Sequence, residues 1–146
     1  MAGRDKMGLG RAIQILVVED NAGDIFLIKE GFHGAGAVFN VHVVKDGLSA
    51  IDFVEMGKPL PDLVILDLNI PGLSGHEVLD RLKTNPNFME IPVVVFSSSS
   101  SAQDIRTAYK LRANSYVKKP SDLDEFFAAI AAIENFWTQT AVLPLI

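Results

Sequence analysis

Short apolar runs alternate with longer amphipathic segments along the chain. Three of the runs, IQILVV (13–18), LVIL (63–66) and VVVF (93–96), are almost continuously apolar, which is typical of parallel strands covered on both faces. Five such units in series predict an α/β fold with an open, doubly wound parallel sheet. The predicted strands are 13–18, 39–44, 63–66, 93–96 and 115–117, and the predicted helices are 24–31, 47–56, 75–83, 102–111 and 123–137.

Turn and cap residues support the breaks between these elements. The proline-containing segments 58–62 and 86–92 predict loops. Ser101 stands three residues before Asp104, and Ser121 stands three before Asp124. This spacing predicts that each serine caps the helix that follows it.

Composition indicates one ordinary globular domain. The chain has 146 residues, of which 49% are hydrophobic and 21% are charged. We expect a loose tail at 1–11, the domain at 12–138 and an apolar tail at 139–146. The absence of cysteine excludes disulfides and thiol chemistry. The net charge of -5 argues against nucleic acid as a partner. No apolar run is long enough for a membrane span, so we expect a cytoplasmic protein.

Polar residues follow the predicted strands at the point where each strand ends. Glu19 and Asp20 follow the first, Asp67 the third, Ser97 the fourth and Lys119 the fifth. Because the carboxyl ends of parallel strands share one edge, these side chains should converge. Carboxylates about 5 Å apart would repel by roughly 3 kcal/mol per pair at an effective dielectric near 20. The site therefore needs a cation, and oxygen ligands favour Mg²⁺.

This set of groups suits phosphoryl transfer. Asp67 could attack phosphorus, while the metal and Lys119 neutralise the phosphoryl oxygens and Ser97 hydrogen-bonds one of them.

Four motifs carry a resemblance to a known family. LVVEDN (16–21), LVILDLNIPGLSG (63–75), VVVFSS (93–98) and NSYVKKP (114–120) resemble the receiver domains of response regulators, the family of the chemotaxis protein CheY. The resemblance extends over residues 12–138. It implies a single-domain, flavodoxin-like (βα)5 fold with strand order 2-1-3-4-5.

The resemblance also implies roles for the acidic residues. Asp67 matches the phosphoacceptor, and Glu19 and Asp20 match the acidic pair that binds Mg²⁺ together with Asp67. Asn69 matches the position whose backbone carbonyl binds the metal.

Three further positions match the family's switch residues. Ser97 matches the switch hydroxyl, Tyr116 the switch aromatic, and Lys119 the lysine that contacts phosphate and carboxylate. Neighbours in a strand point to opposite faces, which favours Lys119 over Lys118. The resemblance further implies a cis peptide bond between Lys119 and Pro120.

Two longer segments, 17–32 and 108–137, resemble single-domain regulators that partner bacterial phytochrome-type histidine kinases. We therefore expect a stand-alone response regulator that accepts a phosphoryl group from a sensor histidine kinase. It would signal to protein partners by a conformational switch. It would not be an enzyme beyond its own phosphotransfer and autodephosphorylation.

The predicted last helix is apolar on more than one face, which suggests a partner surface. We expect a homodimer through the last helix, the fifth strand and the C-terminal tail. Basic side chains would face acidic ones there: Arg106, Lys110 and Arg112 opposite Asp122, Asp124 and Glu125. The alternative is a tail that folds back over its own core.

Other functions stay open at this point. A haloacid-dehalogenase-type phosphatase also uses a strand-end aspartate, but it needs a second aspartate two residues later, where this chain has Asn69. A flavodoxin-like cofactor binder lacks its phosphate loop here, because EDNAGD (19–24) would repel phosphate. Within the receivers, a chemotaxis-type regulator or a phosphorelay intermediate is the alternative to a phytochrome partner.

Overall fold

A computed structural model describes residues 11–32 and 38–144. Within these two ranges, five strands alternate with five α-helices, and a π-helical turn follows the last helix. The strands are β1 Ile13–Val18, β2 Phe39–Val44, β3 Leu63–Leu66, β4 Val93–Ser97 and β5 Ser115–Lys118. The helices are α1 Ala22–Gly31, α2 Gly47–Met56, α3 Gly75–Thr84, α4 Ala102–Lys110 and α5 Leu123–Asn135, and the π-helical turn is Phe136–Thr140.

All five strands are parallel and lie in the order β2-β1-β3-β4-β5. This confirms the predicted fold class. The pairing continues past the strand ends, since the Glu19 N–H donates to the Val44 carbonyl at 3.0 Å and the Asp67 N–H donates to the Val18 carbonyl at 3.0 Å. The backbone therefore fixes Glu19 and Asp67 side by side at one edge.

The sheet separates two apolar cores, as strand alternation requires. Side chains such as Leu16 and Leu66 face α2, α3 and α4, whereas Ile15 and Ile65 face α1 and α5. Both faces of the central strands are thus buried, which explains why their sequence is almost continuously apolar.

The start of one helix and the cap of another differ from the predictions. Asn21 caps α1 by accepting a hydrogen bond from the Asp24 N–H at 2.8 Å, so the helix begins two residues early. The cap of α5 is Asp122, which accepts from the Glu125 N–H at 3.0 Å. The prediction of Ser121 as the cap was wrong, because the Asp122 carboxylate supplies the acceptor one residue later. Ser101 caps α4 as predicted.

A close approach places α3 against the end of β3. A Cβ on Gly75 would lie 2.5 Å from the Asp67 carbonyl oxygen and 2.5 Å from the Leu68 Cα. Only glycine fits this contact, which sets where the chain turns after Asp67.

The C-terminal tail folds back in part. Leu143 is 3% exposed and packs in the core beneath α1 and α5, whereas Val142 is 81% exposed. The predicted tail at 1–11 lies outside the described residues except for Arg11, and so do residues 145–146. The domain boundaries at 12 and 138 stay predictions. Within the described ranges, no helix combines the length and apolarity that a bilayer span requires.

Candidate functional site

Three carboxylates meet at the carboxyl edge of the sheet. Oxygen atoms of Glu19, Asp20 and Asp67 all lie within 4.8 Å of one another. Glu19 and Asp67 are 2% and 6% exposed, while Asp20 faces solvent. A cation could reach this group from the Asp20 side. Three oxygen donors at this spacing suit a hard divalent cation, so the residues present fit the metal that the family resemblance implies.

The Lys119 ammonium contacts two members of the acidic group, by which we mean the carboxylates of Glu19, Asp20 and Asp67. Its Nζ lies 2.6 Å from Glu19 Oε1, 2.8 Å from Asp24 Oδ2 and 3.1 Å from Asp67 Oδ2. The Lys119 backbone N–H also donates to the Ser97 carbonyl at 2.8 Å, which places the residue at the end of β4. The neighbouring Lys118 is exposed.

Asp24 was not among the predicted site residues. It lies in the first turn of α1, where a carboxylate is common because it interacts favourably with the helix N-terminus. Because that role already accounts for an acidic residue here, the sequence did not indicate its contact with Lys119. The available signal was its position one helical turn after the Asn21 cap, on the helix that directly follows β1 in the chain.

Burial and neighbouring charges shift the pKa values of Glu19 and Lys119. Burial raises the pKa of Glu19 to about 7, and the charge of Asp67 adds to this rise despite the hydrogen bond from Lys119. Burial would lower the pKa of Lys119, but the hydrogen bonds to Asp24 and Glu19 and the charge of Asp67 together raise it. The ammonium therefore stays charged, and one positive charge faces several carboxylates.

Asn69 lies two residues after Asp67 and is exposed. Its backbone N–H donates to Asp67 Oδ1 at 3.3 Å. This contact orients the Asp67 carboxylate and places the backbone of Asn69 beside the acidic group.

Ser97 and Tyr116 each form a hydrogen bond to Ser99, in the loop that follows β4. Ser97 is fully buried, and its Oγ accepts a hydrogen bond from the Ser99 N–H at 3.3 Å. The Tyr116 hydroxyl donates to the Ser99 carbonyl at 2.9 Å. The Ser99 hydroxyl itself donates to Asp104 Oδ2 at 2.6 Å. Tyr116 is thus held outside the acidic group, against the loop between β4 and α4.

One expectation about the backbone was wrong. Among the described residues, the cis peptide bond is Lys58–Pro59, and the bond between Lys119 and Pro120 is trans. The trans form of an X–Pro bond is the lower in energy by about 0.5–1 kcal/mol, and the sequence around Pro120 carried no signal for cis.

Residues 15–131 match the response regulator receiver domain family. The chain belongs to this family, whose members are phosphoryl acceptors in two-component signalling. This finding favours the receiver interpretation over the phosphatase and the cofactor binder.

Several relatives are similar over nearly their whole length. The response regulator Rcp1 of Synechocystis sp. is 36% identical over 135 residues, which is 89% of this chain and 92% of Rcp1. The crystal structure of phosphorylated RcpA, a cyanobacterial phytochrome response regulator, is 38% identical with a TM-score of 0.89, covering 92% of this chain and 100% of RcpA. An Mn²⁺-bound structure of Rcp1 has a TM-score of 0.87 at 36% identity, covering 91% of this chain and 99% of that one.

A relative with a different role is also similar. The sporulation initiation phosphotransferase F of Bacillus subtilis is 34% identical over 117 residues, which is 80% of this chain and 90% of the relative.

Proposed function

We propose that Asp67 is the phosphoacceptor of a stand-alone response regulator. The observation that best supports this proposal is the position of the buried Asp67 carboxylate at the end of β3. It lies within 4.8 Å of the carboxylates of Glu19 and Asp20 and 3.1 Å from the Lys119 ammonium. Transfer would form an O–P bond to Asp67 as the N–P bond of a phosphohistidine on the kinase breaks, with the electron pair returning to the imidazole. Lys119 would balance charge on the transferring oxygens.

Mg²⁺ would be held by the side chains of Glu19, Asp20 and Asp67 and by the backbone carbonyl of Asn69. A divalent cation supplies charge neutralisation at the phosphoryl oxygens when bound. The oxygen-only donor set supports Mg²⁺, and the Mn²⁺ found in Rcp1 supports a divalent ion of this kind.

The switch would start at Ser97. A phosphoryl group on Asp67 brings new acceptor oxygens, and the Ser97 hydroxyl would turn to donate to one of them. That movement loosens the bond from the Ser99 N–H and releases the Ser99 carbonyl from Tyr116. Tyr116 would then move inward to the space that Ser97 vacates, which changes the surface formed by α4 and β5.

The donor would be a sensor histidine kinase of the bacterial phytochrome type, and the protein would act in the cytoplasm on protein partners. The similarity to RcpA and Rcp1 over almost the whole chain supports this choice. The similarity to the sporulation initiation phosphotransferase F supports a second candidate function. In it, the protein would be a phosphorelay intermediate that passes its phosphoryl group to another histidine.

Phosphotransfer tests this function directly. Phosphorylated kinases of the phytochrome type are mixed with wild type, Asp67→Asn and Asp80→Asn, with Mg²⁺ or with EDTA, and separated on a phosphate-affinity gel. Asp80 is an exposed carboxylate on α3 and serves as the matched control. We expect label on wild type and Asp80→Asn only, and only with Mg²⁺. Equal labelling of Asp67→Asn would overturn the assignment, and onward transfer to a histidine phosphotransfer protein would favour the second candidate.

We further propose a homodimer through α5, β5 and the C-terminal tail. Large apolar side chains remain exposed on this surface, with Leu123 at 55% and Phe136 at 49%. The six charged residues predicted to pair across the interface are all exposed. They are Arg106, Lys110, Arg112, Asp122, Asp124 and Glu125. An isologous dimer would place each basic group near an acidic one of the second copy.

Light scattering at micromolar concentration tests the dimer. Phe136→Glu should give a monomeric mass, whereas Phe26→Glu, which changes an equally large exposed residue on α1, should not. A monomeric wild type would favour the alternative in which the tail only covers its own core, as Leu143 already does.

A further inference from the structure

The Lys119 ammonium has three protons, and each has an acceptor. Glu19, Asp24 and Asp67 accept them at 2.6, 2.8 and 3.1 Å. An ammonium has no further donor to offer. Any new acceptor that arrives at this nitrogen must therefore displace one of the three.

Asp24 differs from the other two acceptors. It is not part of the group of carboxylates close enough to share one cation, which consists of Glu19, Asp20 and Asp67. It stands on a different element, the first turn of α1, where the Asn21 side chain fixes its backbone N–H. A divalent ion would bind the carboxylates of Glu19 and Asp67 but would leave the hydrogen bond between Lys119 and Asp24 in place.

We propose that Asp24 is a positioning residue that competes with a phosphoryl group on Asp67 for the Lys119 ammonium. The inference rests on the proposed function of Asp67. Asp24 holds one proton of Lys119 away from the phosphoryl oxygens, and its negative charge opposes their charge. It sets how strongly the phosphorylated state is favoured, through Lys119 and without touching the phosphoryl group.

Removal of the Asp24 charge should act on the two ligands of the site in opposite directions. A cation loses a nearby negative charge and binds more weakly. A phosphoryl analogue competes for the ammonium proton with a neutral acceptor in place of an anion and loses a repulsive neighbour, so it binds more tightly. A residue with only a structural role would weaken both when it is replaced.

The experiment uses the full chain and two probes. Binding of Mn²⁺ alone is measured by calorimetry, and binding of beryllofluoride, which adds to a carboxylate oxygen as a phosphoryl analogue, is measured by fluorine NMR at saturating Mg²⁺. For Asp24→Asn we expect Mn²⁺ to bind about two- to fivefold more weakly and beryllofluoride about two- to fivefold more tightly, as suits a partly exposed ion pair.

Two further variants separate charge from shape. Asp24→Glu keeps the charge and should stay close to wild type. Asp80→Asn removes an exposed carboxylate from another helix, α3, and should change neither affinity. Beryllofluoride binding that is unchanged or weaker in Asp24→Asn would overturn the inference while leaving Asp67 as the acceptor. A wild type that binds no beryllofluoride would overturn the proposed function and this inference with it.

Discussion

Replacing Lys119 with methionine would leave the acidic group without its cation. Glu19 and Asp67 are 2% and 6% exposed, and both are paired with this ammonium. Removing one partner of a buried ion pair costs about 3–5 kcal/mol, because the remaining charge stays out of water. Asp24 is more exposed and adds less.

We expect the lower end of that range, about 3 kcal/mol, because the group is open to water and ions on the side of Asp20. For a chain of this length the loss corresponds to a fall in melting temperature of roughly 6–12 °C. Mg²⁺ should largely restore stability, since the ion takes over the positive charge and binds more tightly to a site that has lost its ammonium.

Urea unfolding of Lys119→Met and wild type, each in EDTA and in Mg²⁺, measures both effects. Lys118→Met is the matched control, since it removes the exposed neighbouring ammonium and should change the free energy of unfolding by less than about 0.5 kcal/mol. The reasoning fails if Lys119→Met loses under about 1 kcal/mol in EDTA, or if Mg²⁺ leaves the gap between the two proteins unchanged.

Three other substitutions test the surroundings of the site. Gly75→Ala places a methyl group 2.5 Å from the Asp67 carbonyl oxygen, so we expect a loss of at least about 2 kcal/mol in urea unfolding and weaker Mn²⁺ binding; wild-type values for both would refute the contact. Tyr116→Phe removes the hydrogen bond to the Ser99 carbonyl, which should cost about 1 kcal/mol and speed amide exchange in the loop after β4. Unchanged exchange there would contradict the role of that bond. Asn114→Ala removes the acceptor of a β4 backbone N–H and of a buried lysine amine, so thermal unfolding should show a loss of about 2–3 kcal/mol, and a loss below 1 kcal/mol would count against it.

The central strands could be predicted from sequence because both of their faces are buried, which leaves little room for polar residues. The edge strand β2 is partly exposed and includes Asn40 and His42, but its branched apolar residues still mark it. The runs 13–18, 39–44 and 63–66 coincide with β1, β2 and β3. Cap residues were harder to predict, since two neighbouring residues such as Ser121 and Asp122 can each cap a helix and only the local backbone decides between them.

The site was predictable where residues follow strands and was missed where they do not. Glu19, Asp20, Asp67 and Lys119 meet because parallel strands share an edge. Asp24 reaches the same place from a helix, and its contact depends on how α1 leaves the sheet, which no strand pattern encodes. The bond before Pro120 has the trans form that an X–Pro bond adopts by default, and the expected cis form came from the family resemblance alone.

The junction at Ser99 has a consequence for how this protein can diverge. Both bonds that tie Ser97 to Tyr116 use main-chain atoms of Ser99, its N–H and its carbonyl. Nineteen of the twenty amino acids supply both atoms, and proline alone lacks the N–H. The Ser99 hydroxyl instead bonds to Asp104 and to the Ser101 N–H, at the start of α4. A different side chain at this position would therefore change how the loop joins α4, while the main-chain connection between the buried hydroxyl and the aromatic ring would be kept.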